Sequence, residues 1–109
     1  MADLLNDDNV EKSLKGLDGW NYNDAYKRSL ELHSSSQKFI QKEFVFNSFE
    51  SAATFVQHVA SIAGELGHYP EILIHKESSV TVTSSTTDEN GVTENDIALA
   101  ESIEILVTG

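Results

Sequence analysis

Four histidines, His33, His58, His68 and His75, are the side chains of this 109-residue chain best suited to moving protons near neutral pH. An unperturbed imidazole titrates at about 6.5. There is no cysteine. Disulfide and thiolate chemistry are therefore absent, and zinc loses its commonest ligand. His68 and His75 are seven residues apart, but no third ligand has sensible spacing, so no metal site is expected. Taken alone, His68 in Gly67-His68-Tyr69-Pro70 reads as an ordinary polar residue at a helix exit. His58 falls opposite the apolar stripe of its helix and reads as exposed or at a subunit contact. His33, beside Ser34-Ser35-Ser36, reads as solvated.

The charge balance narrows the partners. The formal net charge is −11, from 18 acids against 7 bases. After Lys76 there is no Lys or Arg, yet Glu77, Asp88, Glu89, Glu94, Asp96, Glu101 and Glu104 follow. Phosphate backbones are bound through Lys and Arg, so direct nucleic-acid binding is not expected. Anionic membrane surfaces are disfavoured for the same reason. No apolar run approaches the roughly 20 residues of a membrane helix. The start, Met1-Ala2-Asp3-Leu4-Leu5-Asn6-Asp7-Asp8, lacks the basic and apolar regions of a secretory signal. A cytoplasmic protein of one domain, residues 1–109, is the expectation.

The elements that must position these groups follow from periodicity. A short helix is expected from Asn9 to Lys15, with Asp7 or Asp8 as cap, Val10 and Leu14 on its apolar face and Gly16 as stop. Tyr26 to Leu32 and Lys38 to Phe46 suit strands, with the serine run closing a hairpin. Ser48 offers a cap for the clearest helix. Phe49, Ala52, Phe55, Val56, Val59, Ala60, Ala63 and Leu66 recur at three- and four-residue steps before Gly67. Glu71 to His75 and Ser79 to Ser85 read as strands joined by Lys76-Glu77-Ser78. Thr86 to Val92 reads as a loop. Thr93, with Asp96 three residues on, forms a capping box for a last helix burying Ile97, Ala100, Ile103 and Val107. The fold class is α+β: a four-stranded antiparallel sheet with helices packed on one face, in the order αββαββα. Its open edges invite pairing with another subunit. Trp20 reads as a core or interface aromatic.

Gly19-Trp20, Phe44-Val45-Phe46-Asn47-Ser48-Phe49-Glu50-Ser51-Ala52, Gly67-His68-Tyr69-Pro70 and Thr86-Thr87-Asp88 followed by Gly91-Val92-Thr93-Glu94-Asn95-Asp96 occur in that order. Together they resemble the pterin-4a-carbinolamine dehydratase family over roughly residues 10 to 106. The resemblance implies removal of water from a 4a-hydroxy-tetrahydropterin by histidine acid–base catalysis, with no metal or cofactor. Carried over by position, it makes His68 catalytic and Tyr69, Pro70, Thr87, Asp88 and Asp96 substrate-binding. It implies a pterin as small-molecule partner, a place in tetrahydrobiopterin recycling, and a homodimer or homotetramer.

The sequence departs from the family pattern at four places. The second histidine of the turn is Tyr69. The histidine of Thr-His-Asp is Thr87. The acid expected four places before His68 is Gly64, with Glu65 one place off. The stretch from Trp20 to Phe46 runs about ten residues longer than in compact members. Tyrosine, titrating at about 10, is a poor base at neutral pH, and threonine exchanges no proton there. Weakened catalysis is thus one expectation. The alternative is a non-catalytic pterin-binding or protein-assembly module, or a dehydratase for another heterocycle. His75 standing in for the lost histidine, and a C-terminal carboxylate pairing with the amino-pyrimidine edge of a pterin, are further readings.

Overall fold

Polar caps and apolar stripes place the helices. A computed structural model of the chain describes residues 3–24, 38–89 and 91–108. Helix α1 runs Asp7–Leu14, and its cap is Asn6, whose side chain accepts from the Asn9 N–H at 2.8 Å. Asp7 and Asp8, expected as caps, instead occupy the first turn, where their charge complements the helix dipole. The helix closes on Lys15 in right-handed geometry, so Gly16 is not needed in a left-handed cap. Helix α2 spans Phe49–Leu66 between a Ser48 cap and Gly67, which takes the left-handed conformation at φ 68°. The capping box of helix α3, Glu94–Thr108, forms as expected. The Thr93 hydroxyl accepts from Asn95 N–H, and Thr93 N–H donates to Asp96.

The sheet contains β1 (Asn21–Asp24), β2 (Lys38–Val45), β3 (Glu71–His75) and β4 (Ser79–Ser84) in the spatial order β1-β2-β4-β3, antiparallel throughout. Registers Tyr22↔Ile40, Phe44↔Val80 and Ile72↔Val82 bring even-numbered side chains onto one face. That face carries Ile40, Phe44, Val80 and Val82 into a core with Val10, Phe55, Val59, Leu99 and Ile103 from the three helices. The element order is the αββαββα expected, with the short 3₁₀ turn Thr87–Glu89 added before α3.

Some local expectations shift. The first strand begins at Asn21, ahead of the expected Tyr26. Asn-Tyr-Asn-Asp has low strand propensity, and it pairs because Tyr22 packs against the core. The expected strand from Tyr26 to Leu32, the serine turn and His33 fall outside the described residues. On α3, Val107 is exposed and Leu99 takes a core position. On α2, Phe49, Ala60 and Leu66 are exposed, leaving Ala52, Phe55, Val59 and Ala63 as the buried stripe. Trp20 is a core aromatic. It packs edge-on against Phe44 and donates its indole N–H to Glu104.

Candidate active site

His68 is fixed by the way α2 ends. At Gly67 the chain turns into a conformation that L-residues adopt at a cost of about 1–2 kcal/mol. The Gly67 and His68 N–H groups then both donate to the Ala63 carbonyl. This closure satisfies a helix-end carbonyl and sets the direction in which the His68 side chain leaves the helix. Pro70 follows, half-buried, and leads directly into β3.

Asp96 is brought to His68 by the start of α3. Its carboxylate is fully buried. Oδ1 lies 2.6 Å from His68 Nε2 and accepts from Ser84 Oγ at 2.5 Å. Oδ2 accepts from Thr86 Oγ1 at 2.7 Å and from Thr93 N–H at 2.9 Å. The Thr86 and Thr93 hydroxyls are 2.8 Å apart, completing the chain of hydrogen bonds. An ionised carboxylate is acceptor-only, and these four donors occupy both its oxygens. Against an ionised carboxylate, His68 Nε2 must carry a proton to make this contact, and Nδ1 is the ring nitrogen that Asp96 does not hold. A buried carboxylate in this position can fix both the tautomer and the orientation of an imidazole.

The remaining expected residues sit around this dyad at different depths. Tyr69, adjacent to His68, is 72% exposed. Thr87 and Asp88 are exposed on the 3₁₀ turn. That turn starts from Thr86, whose hydroxyl touches Asp96, so it belongs to the same end of the molecule. Reciprocal bonds between Thr86 and Gly91 close the loop. The N-terminal segment braces it through Leu5 N–H to Val92 carbonyl at 2.8 Å. Asp96, expected to bind substrate, has no exposed surface, so it would act on a ligand through the partly exposed side chains it holds, His68 and Thr86.

Other candidates lie elsewhere. His75 is on the opposite sheet face, bonded to Thr81 at 2.9 Å and 3.4 Å from Glu43. It does not join His68. His58 is exposed on α2. Gly64 is exposed, and a Cβ there would meet nothing within 4 Å. Among the described residues, no group of three or more His, Asp or Glu is placed to hold a metal. Ser84 and Thr86 were given no role from sequence. The signal for Ser84 was present in the alternation of β4, because Val80, Val82 and Ser84 share one face. A polar residue at a core position must find a buried partner.

The dyad, its loop and the αββαββα sheet invite comparison with known proteins. A family model for pterin 4 alpha carbinolamine dehydratase matches residues 3–106. The chain belongs to this family. A relative from Roseiflexus castenholzii is 36% identical, the match covering 98% of this chain and 100% of the relative. One from Rhizobium etli is 40% identical over 87% of this chain and 82% of its own length. Both carry the name pterin-4-alpha-carbinolamine dehydratase as an assignment rather than an established activity. The crystal structure of a transcriptional coactivator/pterin dehydratase from Brucella melitensis superposes with TM-score 0.79 at 31% identity, covering 95% of this chain and 98% of that one. A pterin dehydratase-like protein identified as a RuBisCO assembly factor in the alpha-carboxysome shares the fold, with TM-score 0.57 at 21% identity over 70% of this chain and 87% of that one.

Proposed function

We propose that this chain is a 4a-hydroxytetrahydropterin dehydratase working with a single histidine, slower than a member with two. The His68–Asp96 contact supports this reading most directly, because it turns an otherwise ordinary helix-exit histidine into an oriented base. In the reaction, the C4a–O bond breaks and a ring-nitrogen electron pair forms the new C=N bond. The ring N–H proton is lost, and the hydroxyl leaves as water after gaining a proton. There is no net oxidation. His68 Nδ1 takes the ring proton. Thr87 cannot supply the second proton, so solvent at the exposed 3₁₀ turn does so. The acid half of the reaction is thus unassisted, and catalysis is weakened. Tyr69 and Pro70 border the ring, and Asp88 lies toward its polar edge. The substrate is a tetrahydropterin of the tetrahydrobiopterin kind, and no cofactor takes part.

Two copies or four form the working unit in this reading. Phe49 and Leu66 on α2, and Ile105 and Val107 on α3, are exposed apolar side chains. Among the described residues, β1 and β3 are the outer strands of the sheet, and outer strands can pair with another copy.

Thr87→His tests the division of labour. Stopped-flow dehydration of 4a-hydroxytetrahydropterin should be accelerated by the wild-type chain and accelerated further by Thr87→His. If neither accelerates the reaction above its uncatalysed rate, the dehydratase reading fails. The replacement of the second histidine by Thr87 favours one other reading, a pterin-binding or protein-assembly module on the same scaffold. A variant that gains activity from an inactive parent would support that one.

A further inference from the structure

Ser84 shares one carboxylate oxygen with the imidazole it stands behind. Its hydroxyl donates to Asp96 Oδ1 at 2.5 Å, the oxygen that His68 Nε2 meets at 2.6 Å. Ser84 and Asp96 are both 0% exposed, so bulk water does not substitute for the hydroxyl. Oδ2 is held independently by Thr86 and Thr93. Three elements therefore meet at Oδ1: the exit of α2 through His68, the first turn of α3 through Asp96, and the end of β4 through Ser84.

We propose that Ser84 is a positioning residue for His68, its hydroxyl holding Asp96 Oδ1 so that the imidazole keeps its proton on Nε2 and presents Nδ1 outward. The inference deepens the acid–base reading of His68 and rests on it. The terminal torsion of a carboxylate is soft. Bonds to Oδ2 alone leave Oδ1 free to turn about them, and the His68 ring turns with it. The hydroxyl removes that freedom. Packing alone does not call for a hydroxyl here. Ser84 continues the inward Val80, Val82 row, where an aliphatic side chain would bury no polar atom.

The test compares Ser84→Ala, Ser84→Cys and Thr83→Ala with wild type. Thr83 is the neighbouring residue on the opposite sheet face, bonded to Gln41, and controls for loss of strand stability. Long-range nitrogen–proton NMR of the His68 ring reads the tautomer, and stopped-flow dehydration reads kcat and KM. Wild type should show the Nε2–H tautomer alone. Ser84→Ala should mix in the Nδ1–H form and lower kcat roughly tenfold, the rate equivalent of one lost hydrogen bond to a charged group. KM should not move, because Ser84 does not touch the ligand. Ser84→Cys, a weaker donor, should fall between, and it carries the comparison if Ser84→Ala does not fold. Thr83→Ala should change neither readout. An unchanged His68 ring in the Ser84 variants, or an equal change in Thr83→Ala, overturns the proposal. A wild-type chain without dehydration activity sinks the dehydratase reading, and the ring measurement still decides the role of Ser84.

Discussion

At the scale of the residue, the molecule turns on a carboxylate that no solvent reaches. Asp96 accepts from four donors supplied by His68, Ser84, Thr86 and Thr93. Replacing it with Asn keeps its shape but turns one acceptor into a donor. A donor then faces another donor across a buried contact unless the Ser84 hydroxyl and the His68 tautomer both reverse. We expect Asp96→Asn to destabilise the fold by about 1–3 kcal/mol, the cost of leaving a buried polar group unpaired, measurable by urea denaturation. The dehydration rate should fall further than that loss of folded protein explains, because the His68 tautomer is no longer imposed. The sequence made His68 and Asp96 visible separately, one through family position and one through its capping box. Their contact was hidden because it joins elements 28 residues apart, and only tertiary packing sets such a distance. Ser84 was legible in principle, as a polar residue in an inward-facing row.

Elements carry the site by the way they end. Gly67 has room for a Cβ but sits at φ 68°. Gly67→Ala should therefore cost about 1 kcal/mol, roughly 4 °C in Tm or somewhat more for a domain of this size, and it should disturb His68 at the same time. The β3–β4 turn stores strain differently. Lys76 and Glu77 both have positive φ, at 52° and 70°, where Asn and Gly are at ease. Lys76→Asn with Glu77→Gly should raise the unfolding free energy by about 1 kcal/mol, without changing activity. The helix α1 is tied to the sheet by Asp7, which accepts from the Tyr22 hydroxyl at 2.6 Å and from Lys38 at 2.9 Å. The Tyr22 hydrogen bond first, and Lys38 second, hold the Asp7 carboxyl below its ordinary 3.8. A carboxyl depressed in the folded state stabilises above its unfolded pKa, and that contribution is lost as pH falls through the folded one. Acid unfolding followed below about pH 4 should thus be less steep in Asp7→Asn. The effect should be small, since the group is solvent-exposed. Periodicity found α2, β3, β4 and α3 because each has an apolar row backed by a cap or turn residue. It missed β1, whose sequence Asn21-Tyr22-Asn23-Asp24 offers one apolar residue and no alternation of apolar and polar types.

The whole molecule places an acidic surface, an exposed 3₁₀ turn and a partly buried His68–Asp96 pair on one sheet-and-helix scaffold. None of the helices among the described residues is long and apolar enough to cross a membrane. What separates an enzyme from an assembly module on this scaffold is whether the site binds a small ligand. Occupancy at a hundred times the dissociation constant stabilises the folded state by about 2.7 kcal/mol. A thermal-shift series with reduced pterins should show that increase, and a pure assembly module should show none. The most direct measurement is stopped-flow dehydration of 4a-hydroxytetrahydropterin by the wild-type chain and by His68→Ala, each read against the uncatalysed rate. The account predicts acceleration by the wild type that falls on the order of a hundredfold or more in His68→Ala. Equal acceleration by the two proteins would contradict it, because the proton would then be moving through some other group.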